Sequence, residues 1–189
     1  MKKLFLVFII LFINVYQIWS QNTPECFENA PVENQNSSYD FWASLGIGSN
    51  YFGLTFKSNL SYNYRNNLFT IRYFEAEEFI FSGAEDVFDE PTIYIKEIGF
   101  LYGRTMQKDI LVLGLAAGIG YVDGVLRGDK IGYREYESIK ISDISIPVEL
   151  NFRFELSKYF GLGGSVFSNF NKEKSIVGGA IELQIGKLY

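Results

Sequence analysis

The chain of 189 residues contains no histidine. That absence removes Ser-His-Asp and Cys-His catalysis, imidazole metal sites and the commonest general base. Cysteine occurs once, at Cys26, so no internal disulfide can form. Thr23-Pro24-Glu25 is not the small apolar lead-in of a lipid-modified cysteine, and Cys26 reads as a bystander thiol. Long apolar runs are missing after residue 20. The best segment, Ile110 to Val122, contains Gly114, Gly118 and Gly120, and it falls short of the ~20 apolar residues that cross a bilayer as a helix. A phosphate loop is missing too, because Gly161-Leu162-Gly163-Gly164 has no lysine or helix after it. Basic excess is also lacking: the formal charge is −5, which argues against a nucleic-acid partner. No enzyme activity, catalytic residue, cofactor or metal centre is expected.

What the chain does contain is apolar and aromatic material, at 48% and 17% of its residues. Part of it opens the sequence. Lys2 and Lys3 precede an apolar run from Leu4 to Val15, and Ser20 offers a small residue for cleavage. This order predicts a secretory signal peptide over residues 1–20, with Ile18 departing from the preferred small residue. Its removal takes away two lysines, and the charge of −5 becomes −7. Residues 21–38 are polar, with Asn22, Asn29, Asn34 and Asn36, and are expected to form a flexible periplasmic leader.

From Tyr39 onward the hydrophobic period is two, the period of a strand. In Ser142–Leu156, Ile144, Ile146, Val148, Leu150, Phe152 and Phe154 alternate with Asp143, Ser145, Pro147, Glu149, Asn151 and Arg153. The second segment alternates in the same way, with Phe52, Leu54, Phe56, Leu60 and Tyr62 against Lys57, Asn59 and Ser61. The third sets Phe69, Ile71 and Tyr73 against Thr70 and Arg72. About eight strands are expected, over 39–49, 51–63, 68–81, 92–104, 110–122, 141–156, 159–170 and 175–189. Most reach the ~9–11 residues of a tilted membrane strand.

The connections have a parity. Arg65-Asn66-Asn67, Met106-Gln107-Lys108 and Ser157-Lys158 are tight turns after strands two, four and six. The longer connections, Ser82 to Pro91 and Asp123 to Lys140, follow odd-numbered strands. Short periplasmic turns and longer outer loops are the asymmetry of outer-membrane barrels. The fold class expected is all-β: a single antiparallel up-and-down transmembrane β-barrel over residues 39–189. Small residues on the polar face (Gly114, Ala116, Gly118 and Gly120, then Gly161, Gly163 and Ser165) suit a crowded interior. Tyr62, Tyr64, Tyr102, Tyr121, Phe160 and Phe170 fall near strand ends, as interfacial girdles do.

The ending, Ile181-Glu182-Leu183-Gln184-Ile185-Gly186-Lys187-Leu188-Tyr189, carries a resemblance. With this architecture, the chain resembles the small eight-stranded outer-membrane barrels of the OmpX and OmpA membrane-domain type. The resemblance implies that Ile181, Leu183, Ile185 and Tyr189 form the signal read by the outer-membrane assembly machinery, with Lys187 departing from the pattern. It also implies residence in the outer membrane of a Gram-negative-type cell, in contact with outer-membrane lipid.

Two polar constellations stand out. Lys57, Arg72, Glu97, Glu149, Arg153 and Glu182 are expected to face one another inside the barrel as ion pairs. Glu75, Glu77, Glu78, Glu85, Asp86, Asp89 and Glu90 form an acidic outer stretch, read as a solvated loop. The leading functional expectation is a monomeric outer-membrane protein with a structural or surface-interaction role and a lumen plugged by polar side chains. The alternatives are a narrow porin-like channel and a soluble lipocalin-like barrel that turns its apolar face inward around a ligand.

Overall fold

The structure is a computed structural model that describes residues 39–78, 93–108, 110–132 and 136–188. The expected signal peptide, leader, Cys26 and Tyr189 lie outside these residues, as does the acidic run from Glu85 to Glu90. Eight antiparallel strands close into one barrel in sequence order. They are β1 (Tyr39–Asn50), β2 (Gly53–Tyr64), β3 (Asn67–Glu78), β4 (Tyr94–Lys108), β5 (Leu111–Lys130), β6 (Tyr136–Ser157), β7 (Phe160–Phe170) and β8 (Ile176–Lys187). Closure is made by β8 against β1, from Phe41 opposite Lys187 to Asn50 opposite Gly178. Closure matters because it leaves no strand edge around the wall.

Local chemistry sets the turns. Arg65 and Asn66 both have positive φ, 49° and 66°, as a two-residue primed hairpin turn requires. Asn67 Nδ2 fastens that turn by donating to the carbonyls of Tyr64 and Arg65. At the opposite rim, Asn50 Oδ1 accepts from the backbone N–H of Phe52 and Gly53. Asn171 Oδ1 does the same for Glu173 and Lys174. The barrel therefore has a short-turn rim, with the connections β2–β3, β4–β5 and β6–β7, and a hairpin rim, with the other connections.

The two faces of the wall are sorted by polarity. Ile181 is 72% exposed and its neighbour Glu182 only 2%. Ile47, Phe56, Ile71, Ile98, Ile119 and Ile144 repeat the outward apolar choice on β1 to β6. A water-soluble barrel would place these side chains inside, so the lipocalin-like alternative fails on this point.

Two sequence expectations need correction. Within the span Asp123–Lys140, residues 123–130 and 136–140 are strand and not loop. β5 and β6 remain paired from Asp123 opposite Ser142 to Lys130 opposite Tyr136, with a register shift between Arg127 and Lys130. Phe52 does not open the outward face of β2. It precedes the strand in the turn and packs inward against the apolar cluster that contains Phe74 and Phe167.

Candidate functional site

The lumen holds the charged side chains that the alternating pattern turned inward. All six expected side chains are there, none more than 3% exposed. Five of them form one network. Lys57 Nζ lies 3.0 Å from Glu149 Oε1 and 2.5 Å from Glu182 Oε1. The second contact is ionic rather than a directed hydrogen bond. Arg72 donates through Nε and Nη2 to Glu97 Oε1, at 3.0 and 2.5 Å, and lies 3.4 Å from Glu149 Oε2. Glu149 thus links the two cations. Neutral donors complete the shell: Asn59 to Glu149, and Ser145 and Asn169 to Glu97.

Arg153 sits apart from this network. It pairs with Glu155 at 2.7 Å, reaches Gln184 at 3.5 Å and lies over the Trp42 ring at 4.2 Å. Glu155 also accepts from Gln107. The alternating pattern put Arg153 on the correct face. Its height in the barrel depends on strand register, which the pattern does not encode.

Apolar layers lie on both sides of the charged one. The lumen-facing series on β3 is Ala76, Phe74, Arg72, Thr70, Leu68, and on β4 it is Ile95, Glu97, Gly99, Leu101. Towards the hairpin rim, Phe74, Ile95, Val122, Ile141, Phe167 and Ile176 pack together. Towards the short-turn rim, Trp42, Leu68, Leu101, Ala116 and Leu188 do so. Sequence reading missed these layers, because it assigned the inward face to polar residues. Their signal was present in adjacent apolar pairs that break the period of two: Tyr73-Phe74, Tyr121-Val122, Val166-Phe167 and Ile176-Val177.

The small lumen residues have neighbours leaning over them. A Cβ on Gly114 would meet Asn151 Oδ1 at 2.4 Å, and one on Gly161 would meet Arg153 Cγ and Cδ at 3.2 Å. The expected assembly residues Ile181, Leu183 and Ile185 all point outward on β8, in register with Ile47, Leu45 and Ala43 of β1. Of the acidic stretch, Glu75 pairs with Lys96 at 3.6 Å and Glu78 with Arg127 at 2.8 Å.

The second candidate site is the β5–β6 hairpin. β4 accompanies β5 only to Tyr94 opposite Val125, and β7 accompanies β6 only to Phe170 opposite Ile146. Residues 136–145 of β6 therefore present an edge without a β7 partner, extending about 30 Å along the strand. Arg127 ties the hairpin to Glu78 on β3 and stacks 5.4 Å from the Tyr136 ring. Asp143 Oδ2 accepts from the backbone N–H of Lys172 and braces its base.

No family model matches the sequence, and no curated protein does. Solved structures match the fold. The N-terminal β-barrel domain of Pseudomonas aeruginosa OprF gives a TM-score of 0.55 at 9% identity, covering 78% of this chain and 96% of that one. Neisserial surface protein A gives 0.48 at 12% identity, with 80% and 96% covered. Ail, the attachment invasion locus protein of Yersinia pestis, gives 0.49 at 14% identity, with 79% and 96% covered. A closed eight-stranded barrel, apolar outside and charged within, is the fold of the small outer-membrane β-barrels, and this chain has it.

Proposed function

We propose that the chain is exported by residues 1–20 and inserts as a monomeric integral protein of the outer membrane. There it displays the β5–β6 hairpin as a surface-interaction element. The single observation that carries this reading is the paired hairpin, which runs beyond its neighbouring strands and leaves the edge of residues 136–145 without a β7 partner. An edge with no strand partner among the described residues offers backbone N–H and C=O groups to an extended partner segment. Glu137 and Lys140 keep it from pairing indiscriminately, since edge charges oppose unspecific strand addition.

The lumen supports a plug rather than a channel. Its ion pairs lie between two apolar layers, and neighbouring side chains fill the space over Gly114 and Gly161. An eight-stranded barrel has room for side chains and little more. The outward Ile181, Leu183 and Ile185, followed by Tyr189, would serve the assembly machinery, and the leader of residues 21–38 would remain in the periplasm.

The test compares cells that make the full chain with cells that make a variant whose hairpin is shortened by removing residues 127–139. Both proteins should be extracted from membranes only by detergent and should change gel mobility on boiling. Attachment to surfaces and to other cells should fall only for the shortened variant. Equal attachment would remove the surface-interaction role, and recovery in the soluble fraction would remove the membrane reading itself.

A further inference from the structure

The two rims differ in charge. At the short-turn rim, the outward and turn positions hold Arg65, Arg104, Lys108, Lys158 and Lys187, all exposed or half-exposed. They come from the β2–β3 turn, from the C-terminal residues of β4, from the β6–β7 turn and from the end of β8, and so they surround the barrel. Among the described residues, the acids near this rim are Asp40 and Glu155, and both are buried in the lumen; in the sequence one further acid, Asp109, follows Lys108, against five cations. The hairpin rim is mixed instead, with Glu75, Glu77, Asp123, Asp129 and Glu137 beside Lys96, Lys130 and Lys140.

The cations stand on aromatic residues that mark a boundary. Lys187 lies 3.7 Å from the Tyr39 ring centroid, Arg65 5.1 Å from Tyr64 and Lys158 5.8 Å from Tyr159. Along β4 the outward series Ile98, Phe100, Tyr102 leads directly to Arg104. Along β8, Ile181, Leu183 and Ile185 lead to Lys187. The positive charge thus begins where the apolar band ends, which is the height of lipid phosphates. Aromatic rings sit at that height, and basic side chains reach out along it while their stems stay against apolar surface.

We propose that this rim is a binding surface for anionic phospholipid headgroups, whose net negative charge it complements around the whole circumference. The proposal rests on the barrel being membrane-inserted. Basic residues at a membrane surface attract anionic lipid strongly enough to bias the lipid shell, and the ring of them would fix the height of the barrel in the bilayer.

The test uses the mature chain in phosphatidylcholine vesicles with spin-labelled phosphatidylglycerol or spin-labelled phosphatidylcholine as the probe. Electron spin resonance reads the motionally restricted fraction. Gel mobility with and without boiling reports insertion in every preparation, which separates failure of the membrane reading from failure of this one. Phosphatidylglycerol should be preferred about fivefold, and the preference should vanish at high salt. It should also vanish in R65Q/R104Q/K158Q/K187Q and persist in the hairpin-rim variant K96Q/K140Q/K172Q. If the fourfold variant does not insert, the turn pair R65Q/K158Q should lower the preference instead. Equal association of both lipids with inserted protein would overturn the proposal, as would a preference that follows the hairpin-rim variant.

Discussion

Glu182 of β8 reaches Lys57 of β2 across Gly46 of β1, with 2.5 Å between carboxylate oxygen and ammonium. The reach is possible because Gly46 has no side chain: a Cβ there would meet Glu182 Cγ at 2.9 Å. Lys57 also serves Glu149, so removing it strands Glu182 and leaves Glu149 with Arg72 as its one cation. Lys57→Met should destabilise the barrel by about 3–5 kcal/mol, the range for a buried pair that loses one partner. Lys57→Met with Glu182→Gln should recover part of this loss. Urea unfolding in vesicles measures both, and a single variant as stable as the parent would show that the layer is not held by this pair.

Purified protein in a planar bilayer should show no steady single-channel steps of porin size. The interior of an eight-stranded barrel is filled by side chains, whereas aqueous channels appear at about 16 strands. Arg72→Ala leaves Glu97 without its cation and should lower stability before it opens a pore. Arg153→Ala should act likewise through Glu155. Large, reproducible conductance from the unmodified chain would put the channel reading first.

The unboiled protein should migrate faster than the boiled one in denaturing gels. Each strand is paired on both sides within the wall, so the wall itself offers no open edge from which detergent can unzip the ladder. Mobility that stays the same across detergents and temperatures would count against a closed barrel.

Removing Tyr189 should lower the membrane-inserted fraction and leave export to the periplasm intact. The motive is its place in the sequence after the outward series Ile181, Leu183 and Ile185. Pulse-labelling with fractionation measures the two steps separately. Unchanged insertion would dismiss Tyr189 as an assembly signal.

The strands were legible because one face of each meets an apolar medium and the other a narrow polar space, which enforces a period of two. Strand length in the outer hairpin was not legible. There Gly124, Gly128, Asp129 and Lys130 resemble a loop, since a two-stranded ribbon beyond the wall needs no continuous apolar face. The membership of Lys57, Arg72, Glu97, Glu149 and Glu182 in one layer was readable as a shared face. The separation of Arg153 was not, because height in a barrel follows from stagger between strands. The inner apolar layers went unread for a related reason. Phe74 and Phe167 meet at 5.1 Å between ring centroids but lie on β3 and β7, far apart in the chain.

The charged layer draws on β2, β3, β4, β6 and β8, and no single hairpin contains it. Before β8 meets β1, Glu182 and Lys57 are hydrated separately, and the apolar layers have nothing complete to close over. Joining the seam therefore strips water from the ions in the same event that seals them in. Reopening requires the reverse: breaking the seam before any water can return to compensate the separated charges. Such a structure should unfold slowly if its transition state has lost ion pairing before regaining hydration. Its persistence in the envelope then depends on the rate of that first rupture, a matter of kinetics that equilibrium stability alone does not describe.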